Sequence, residues 1–343
     1  MLVNQWIFGS DVPPAISICM PVYNGSAFLD RAFQCIANQT ILHRFEIVLV
    51  DDGSKDDTSE RAKELMSRYS LQGRVLRTLN QGCEQARDLA CKYASANIIA
   101  PFDCDDYWDP DYLKSMFTAL ELHPEIDLVY CDFIEENTRT GGQQLKSKEA
   151  VWIDLNVASA DTRTLCHNAV LFQFGRGAFF NMLLEGQVLF PPCTMFRRAI
   201  YDHVGGYTDI AELRISLDWS FGLRVSRAGT VAFLNRPLLR KYFHGDNVSA
   251  DTVRTSSCSF KVVQKLMRDA DLTPQQIQKL RSKGASLAGH LSYAMRTKHR
   301  DRWAALKWSL TSLRYQWNIK AVKLALTTLV PQSIMDRRAS AAL

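Results

Sequence analysis

The chain has 343 residues, 47% of them hydrophobic and 22% charged, with a net charge of +5; this suits one large α/β domain with an appendage, or two modest domains. Its nine cysteines form no C-x-x-C pair, which argues against a zinc site or a disulfide framework and for a reducing cytosol. Neither a basic start followed by an apolar core nor an apolar run of about 18 residues occurs, so no signal peptide and no membrane span are expected.

The charge is unevenly spread. Residues 252–343 hold 17 Lys plus Arg against 4 Asp and no Glu, a balance of +13, whereas residues 1–251 hold 24 basic against 32 acidic residues, a balance of −8. The two parts therefore have different tasks or different neighbours.

Ala15 to Met20 reads as a short strand stopped by Pro21, and Phe28, Leu29, Ala32, Phe33 and Ile36 then recur at helical spacing. Phe45 to Val50 repeats the strand signal and ends at Asp51, Asp52, Gly53 and Ser54. Asp56 to Tyr69 follows as a helix with acidic residues at its start, where the dipole favours them. Val75 to Leu79 is a third strand, Gly82 opens a helix running to Ser95, and Ile98 to Phe102 is a fourth strand. Such alternation predicts a parallel α/β sheet with ligands at the carboxyl ends of its strands. The segments P-V-Y-N, D-D-G-S, N-Q-G and D-C-D-D all fall at those ends. Neither G-x-G-x-x-G nor G-x-x-x-x-G-K-[ST] is present, which disfavours a dinucleotide oxidoreductase and a P-loop ATPase.

The fourth strand runs straight into Asp103, Asp105 and Asp106. Carboxylates so crowded repel one another and lose hydration when packed, a penalty that a divalent cation removes. The plainer alternative is a solvated acidic turn. A protein that holds phosphates without a glycine cradle does so with a metal and basic side chains.

Further on, T-R-T-G-G-Q-Q at 138–144 reads as a turn or hairpin tip and Gly177 to Glu185 as a short helix. Arg197 and Arg198 either face an anionic ligand or form a solvated strand end. Beyond Asp251 the pattern becomes helical: Phe260 to Ala270, a start at Thr273 with Pro274 in the first turn, and helices on to Val330. Trp303, Leu306, Leu310, Leu313 and Trp317 form one stripe with Arg302, Lys307, Arg314 and Lys320 around it. The stripe is expected to be the buried side of a helix bundle; the alternative is contact with an anionic membrane surface.

Four segments taken in order, P-V-Y-N-G-S-A-F-L, E-I-V-L-V-D-D-G-S-K-D-D-T, N-Q-G-C-E-Q-A-R-D and F-D-C-D-D-Y-W-D-P, resemble the family 2 glycosyltransferases of the GT-A fold. G-G-Y-T-D at 205–209, L-D-W-S-F-G-L-R at 217–224 and H-G-D-N-V-S at 244–249 continue the likeness, which covers roughly residues 14–250. It implies a Rossmann-like α/β catalytic domain over 1–251, with a nucleotide-sugar half at about 14–135 and an acceptor half at about 136–251, followed by a basic helical region at 252–343. The implied activity is a metal-dependent, inverting transfer of a sugar from a nucleoside diphosphate, UDP foremost, to a hydroxyl of a glycan or lipid-linked acceptor in cell-surface polysaccharide synthesis.

Carried over residue by residue, the resemblance puts Pro21 and Tyr23 in the base pocket and gives Asp52 the base's imide N–H. Arg87 faces the nucleotide or its phosphates, and Asp103 lies near the ribose. Asp105 and Asp106 are the candidates for Mg²⁺ or Mn²⁺, with no choice between them, and His244 is a further metal ligand or phosphate donor. Asp218 is the base that deprotonates the acceptor hydroxyl. Ordinary structural roles compete with each assignment: a helix cap for Asp51 or Asp52, a surface ion pair for Arg87, a buried structural histidine for His244, and a helix N-terminal acid for Asp218. The chain departs from the family's pattern at Asp88, where Asn is usual, and at Leu217, where Glu is common. The expected location is the cytoplasm, with the basic C-terminal helices touching the inner face of the membrane and no nucleic acid as partner. A catalytically silent nucleotide- or glycan-binding protein of the same fold is the rival reading.

Overall fold

The structure is a computed structural model and describes residues 2–9, 12–42, 44–137, 143–145, 162–164, 171–175, 177–185, 189–210, 212–243, 251–268, 271–317 and 319–329. The chain divides into two compact units, Met1–Asn247 and Val248–Leu343.

In the first unit the strands β2 (Ile16–Val22), β3 (Phe45–Asp51), β4 (Gly73–Thr78) and β5 (Ile98–Pro101) lie side by side in parallel. Every residue of β2 is buried, as a near-continuous apolar run in a parallel sheet covered on both faces requires. Helices α1 (Ser26–Ala37), α2 (Thr58–Arg68) and α3 (Cys83–Tyr93) return the chain between these strands. Ile18 sits between Ile47 and Ala100 in register. All four strands therefore end on one edge, where Tyr23, Asp52, Asn80 and Asp103 follow. Gly73 adopts φ 138, and a Cβ there would stand 2.0 Å from the Ile47 carbonyl oxygen, so only glycine admits this close approach of β4 to β3.

A strand that the sequence reading lacks, β1 (Leu2–Phe8), adds antiparallel to β4. Its segment L-V-N-Q-W-I-F has no clean alternation, and Ile7 is 68% exposed, so packing against β4 rather than periodicity defines it.

After β6 (Tyr107–Trp108) and α4 (Tyr112–Leu122), the strands β7 (Leu128–Asn137), β8 (Gln143–Leu145), β9 (Thr162–Thr164) and β10 (Leu171–Phe174) begin the other half. The helix α5 (Ala178–Glu185), strand β11 (Thr194–Arg197), helices α6 (Arg198–His203) and α7 (Leu217–Ala228), and the long strand β12 (Val231–Phe243) complete it. The sheet is mixed, in the order β1-β4-β3-β2-β5-β11-β7-β12-β10-β9, with β6 on β12 and β8 on β7. The antiparallel pairing of β7 and β8 frames the expected hairpin tip, whose residues 138–142 lie outside the described residues.

Arg197 and Arg198 take neither of the roles expected of them. Arg197 donates to the carbonyls of Ile126 (2.8 Å) and Leu120 (2.6 Å), and Arg198 to those of Ala96 (3.1 Å) and Cys91 (3.2 Å). Carbonyls left open at the ends of α3 and α4 need donors, and the two guanidinium groups supply them.

The second unit is helical. Asp251 caps α8 (Thr252–Leu266) by accepting from the Val253 and Arg254 amides. Thr273 and Gln276 form a capping box at α9 (Pro274–Thr297), with Pro274 in its first turn. Asp301 caps α10 (Arg302–Tyr315), and α11 (Ile319–Leu329) follows.

The expected buried stripe on α10 is a correction: Trp303 is 81%, Leu310 50% and Trp317 75% exposed. The opposite side of the helix, Ala305, Ser309 and Ser312, is the buried one. It meets Gly284, Ala285, Ala288 and Ser292 of α9, where Ser292 Oγ donates to the Ala305 carbonyl (2.7 Å) and Ser312 Oγ to the Ala285 carbonyl (2.8 Å). Small residues let the two helices approach closely, and that seam turns Trp303 and Leu310 outward while Leu306 and Leu313 of the expected stripe stay half-buried. A Cβ on Gly284 would meet the Tyr315 ring at 2.4 Å. Gly284→Val is therefore expected to destabilise the C-terminal unit by roughly 1–3 kcal/mol, read as faster hydrogen exchange in α9 and α10 with unchanged exchange in β2 and β3.

Candidate active site

Tyr23, 47% exposed, projects just past the end of β2, behind the buried Pro21. The loop it sits in is tied to the end of β3: the Asn24 amide donates to Ser54 Oγ (2.9 Å) and Asn24 Oδ1 accepts from the Lys55 amide (2.8 Å). Asp51 is fully buried, accepts from the Ser54 amide (2.8 Å) and from Ser59 Oγ, and pairs with Arg77 at 3.6 Å. It holds the turn.

Asp52 is occupied in a different way. Its carboxylate accepts from the Gln81 amide (2.8 Å), the Gly82 amide (2.7 Å) and Thr78 Oγ1 (3.3 Å). Burial pushes its carboxyl above the usual range, against the pull of those donors and of Arg214. Asp52 thus sets the entry to α3, where Gly82 has φ 104 and lies 3.0 Å, measured from a Cβ built on it, from Arg214 Cδ. Gln85 Nε2 donates to the Leu213 carbonyl (2.6 Å) and so holds the Arg214 loop over this strand end.

Arg87 is the centre of the next cluster. Its guanidinium is only 2% exposed and lies 2.7 Å from Asp103 Oδ1 through Nη2 and 2.7 Å from Glu84 Oε1 through Nη1. The ordinary alternative, a pair across the helix, is present as well, since Glu84 lies three residues before Arg87 on α3, but that pair is buried. Glu84 is pushed up to about 7, first by burial and further by the charges of Asp218 and Asp103, with Arg87 pulling the other way. Burial, with two acids nearby, outweighs the one guanidinium that pairs with Glu84. Among the described residues, neither Glu84 Oε2 nor Arg87 Nε has a hydrogen-bond partner.

Asp218 reaches this cluster from the first turn of α7, and its charge also pushes the buried Tyr207 hydroxyl upward. Ser216, just before it, holds a left-handed backbone (φ 66), a strained conformation for a residue with a side chain. Leu217 is fully buried while Asp218 is partly exposed, so the position where the family commonly has Glu belongs here to the core. Asp88 has a structural reason to differ from Asn. It accepts from Tyr201 Oη (2.8 Å), the Tyr207 amide (2.7 Å) and Thr208 Oγ1 (2.8 Å) and pairs with Lys92 (2.7 Å). Despite burial, these donors hold its carboxyl below the usual range, and they fix Tyr207 5.9 Å from Arg87.

The acidic loop separates its carboxylates. Asp103 and Asp105 are partly exposed, while Asp106 is 4% exposed and accepts from the Tyr242 amide at 3.4 Å. Burial pushes Asp106 well up, with Lys241 pulling it down and Asp105 and Asp103 pushing it further up. Arg31 clamps the loop by donating to the Asp105 carbonyl (2.7 Å) while stacking over Tyr242 (4.3 Å). Among the described residues no group of three or more His, Cys, Asp or Glu side chains is arranged to hold a metal, and His244 lies outside the described residues. The partly exposed Asp105 nevertheless fits magnesium or manganese, which bind through one or two carboxylates and complete their shell with phosphates and water.

The structure therefore brings Arg87, Asp103 and Asp218 together with Glu84 and Tyr207, and sets Tyr23, Asp52 and Arg214 at the neighbouring strand ends. Glu84, Tyr207 and Arg214 were not singled out by sequence. An acid in the first turn of a helix reads as a complement to the dipole, and nothing local marks the other two.

A family model described as Glycosyl transferase family 2 matches residues 17–205. Among similar proteins, the putative glycosyltransferase EpsH of Bacillus subtilis is 32% identical over 128 residues, 37% of this chain and 36% of its own length. Chondroitin synthase of Escherichia coli is 25% identical over 244 residues, 62% of this chain and 32% of its own. The PGL/p-HBAD biosynthesis glycosyltransferase of Mycobacterium bovis is 26% identical over 234 residues, 67% of this chain and 74% of its own. The chain thus spans about a third of the first two relatives. Among solved structures, S. aureus TarS 1-349 in complex with UDP superposes with a TM-score of 0.64 at 14% identity, covering 91% of this chain and 88% of that one. The mannosyltransferase PcManGT from Pyrobaculum calidifontis, in complex with GDP-Man and Mn²⁺, gives 0.55 at 17% identity, covering 92% and 80%. Matched by the family's model over more than half of its length, and folded as a mixed α/β sheet of GT-A type followed by helices, the chain belongs to glycosyl transferase family 2.

Proposed function

We propose that this chain transfers one sugar, with inversion, from a nucleoside diphosphate, UDP foremost, to a hydroxyl of a glycan or lipid-linked acceptor in cell-surface polysaccharide synthesis. The observation that carries the reading is the convergence of Glu84, Arg87, Asp103 and Asp218 at the end of a parallel sheet. UDP-bound and UDP-GlcNAc-bound TarS among the structures of like fold support UDP as the first donor to test.

Tyr23 offers an aromatic face to the base and Asp52 a carboxylate to its imide N–H. Asp52 keeps lone-pair capacity for that bond while accepting from Gln81 and Gly82, and Arg214 adds positive charge nearby. Asp103, oriented by Arg87, takes the ribose side. Asp105, partly exposed, would hold Mg²⁺ or Mn²⁺; Asp106, the other candidate, is buried and supports the loop from behind. The cation, when bound, offsets charge developing on the diphosphate. Asp218 accepts the proton of the acceptor hydroxyl as that oxygen attacks the anomeric carbon from the face opposite the diphosphate. The reading includes a peripheral position on the cytoplasmic face of the membrane, beside a lipid-linked acceptor.

Chelation tests the metal's part. EDTA is expected to abolish nucleoside diphosphate release, Mn²⁺ or Mg²⁺ to restore it, and Asp105→Asn to raise the metal concentration needed for half-maximal release about tenfold or more. Full release in EDTA, or an Asp105→Asn protein that merely works without metal, would contradict it.

A further inference from the structure

The outward face of α10 carries Trp303, Lys307, Leu310 and Arg314 at spacings of four, three and four residues, all exposed. Residues at i, i+4, i+7 and i+11 lie along one line of a helix, so the ridge alternates apolar and basic side chains. The next helix repeats the device: Ile319, Lys323 and Leu326 of α11 are exposed at the same spacing, with Ile319 65% and Leu326 58% exposed. Two successive helices thus leave indole and aliphatic surface in water. Among the described residues no helix is long and apolar enough to cross a membrane.

We propose that this ridge of α10, with that of α11, is the surface by which the chain docks on an anionic lipid bilayer. The inference rests on the peripheral position proposed above. It names the surface and its chemistry, and it holds or fails independently of sugar transfer.

Charge decides between occupants. The residues from 252 onward carry +13 and no Glu, and each ridge interleaves its apolar groups with Lys or Arg. A second copy of the chain packed through the same face would set like charges opposite one another and bury Lys307 and Arg314, which closed interfaces tend to exclude. Nucleic acid would satisfy the cations but leave Leu310, Ile319 and Leu326 with no apolar phase. An anionic bilayer satisfies both sets: the indole of Trp303 suits the headgroup level, the aliphatic groups enter the acyl boundary, and the cations meet lipid phosphates.

The test is co-sedimentation of the full chain with vesicles of phosphatidylglycerol and phosphatidylcholine against vesicles of phosphatidylcholine alone. The chain is expected to partition at least tenfold better onto the anionic vesicles, and less as salt rises. Trp303→Ser with Leu310→Ser, and separately Lys307→Gln with Arg314→Gln, should each lower that partition about tenfold or more while UDP affinity stays unchanged. These residues are exposed, so both variants are expected to fold, and parent-like hydrogen exchange in α9 and α10 reports that they have. Equal partition onto both vesicles, or variants that bind as the parent does, would overturn the inference. So would self-association abolished by Trp303→Ser with Leu310→Ser in a chain that binds no vesicle. Loss of sugar transfer with vesicle binding intact would count against the transfer reading alone.

Discussion

Asp218→Asn is expected to lower sugar transfer by roughly 10²–10⁴-fold, the range that a positioned general base contributes, while leaving nucleoside diphosphate affinity within about twofold. The substitution keeps size and hydrogen-bonding capacity and removes only the ability to take a proton. The environment favours such a role. Asp218 stands on the first turn of α7, where a carboxylate complements the helix dipole, and Ser216 just before it holds a left-handed backbone (φ 66). Its charge is felt by both Glu84 and Tyr207. If Asp218 were a plain helix N-terminal acid, Asn, itself a good residue at helix starts, would be almost silent in turnover. Activity within about twofold of the parent would therefore remove it from the chemistry.

Arg87→Met is expected to have the largest effect on the fold, a loss of roughly 3–5 kcal/mol, the usual consequence of deleting one partner of a buried ion pair. Methionine fills much of the same volume, so the loss reports charge rather than a cavity. Glu84 and Asp103 would lose the guanidinium that pairs with both of them. The pH dependence follows from Glu84, whose folded-state value is raised to about 7 by burial. For a raised acid the stabilising contribution is complete below its unfolded value and fades as pH rises through the folded one. Removing Arg87 raises Glu84 further, and protonation relieves the repulsion in acid. The deficit measured by urea unfolding should then be smaller at pH 5.5 than at pH 8. A deficit that does not change between those pH values would mean that Glu84 stays ionised beside Asp103 or was never coupled to it.

Much of the first half of the fold was legible because a parallel sheet covered on both faces demands runs such as I-S-I-C-M and F-E-I-V-L-V, which end where the polar segments begin. The crowding of Asp103, Asp105 and Asp106 was equally plain. What each carboxylate faces was not, since Asp106 is buried against Tyr242 and Lys241, more than 130 residues away. The pairing of Asp52 with the Gln81 and Gly82 amides likewise depends on how α3 enters. Arg197 and Arg198 read as ligand-facing or solvated, yet serve carbonyls at the ends of helices that no local pattern brings near them. In the C-terminal unit, apolar spacing on α10 marked a face without telling its direction. The quieter pattern of Ala305, Ser309 and Ser312 fixed the buried side, because small residues let α9 come close. Hydrophobic periodicity finds stripes; complementarity of shape decides which stripe is covered.

The most direct test of sugar transfer is release of free nucleoside diphosphate by the full chain from a panel of UDP, GDP and dTDP sugars with Mn²⁺ or Mg²⁺, beside a crude acceptor lipid extract. Metal-dependent release from one donor, UDP-linked first among those expected, is the predicted result. Tight binding of a nucleotide with no release from any donor, even with the extract present, would make the chain a silent binding protein of the same fold.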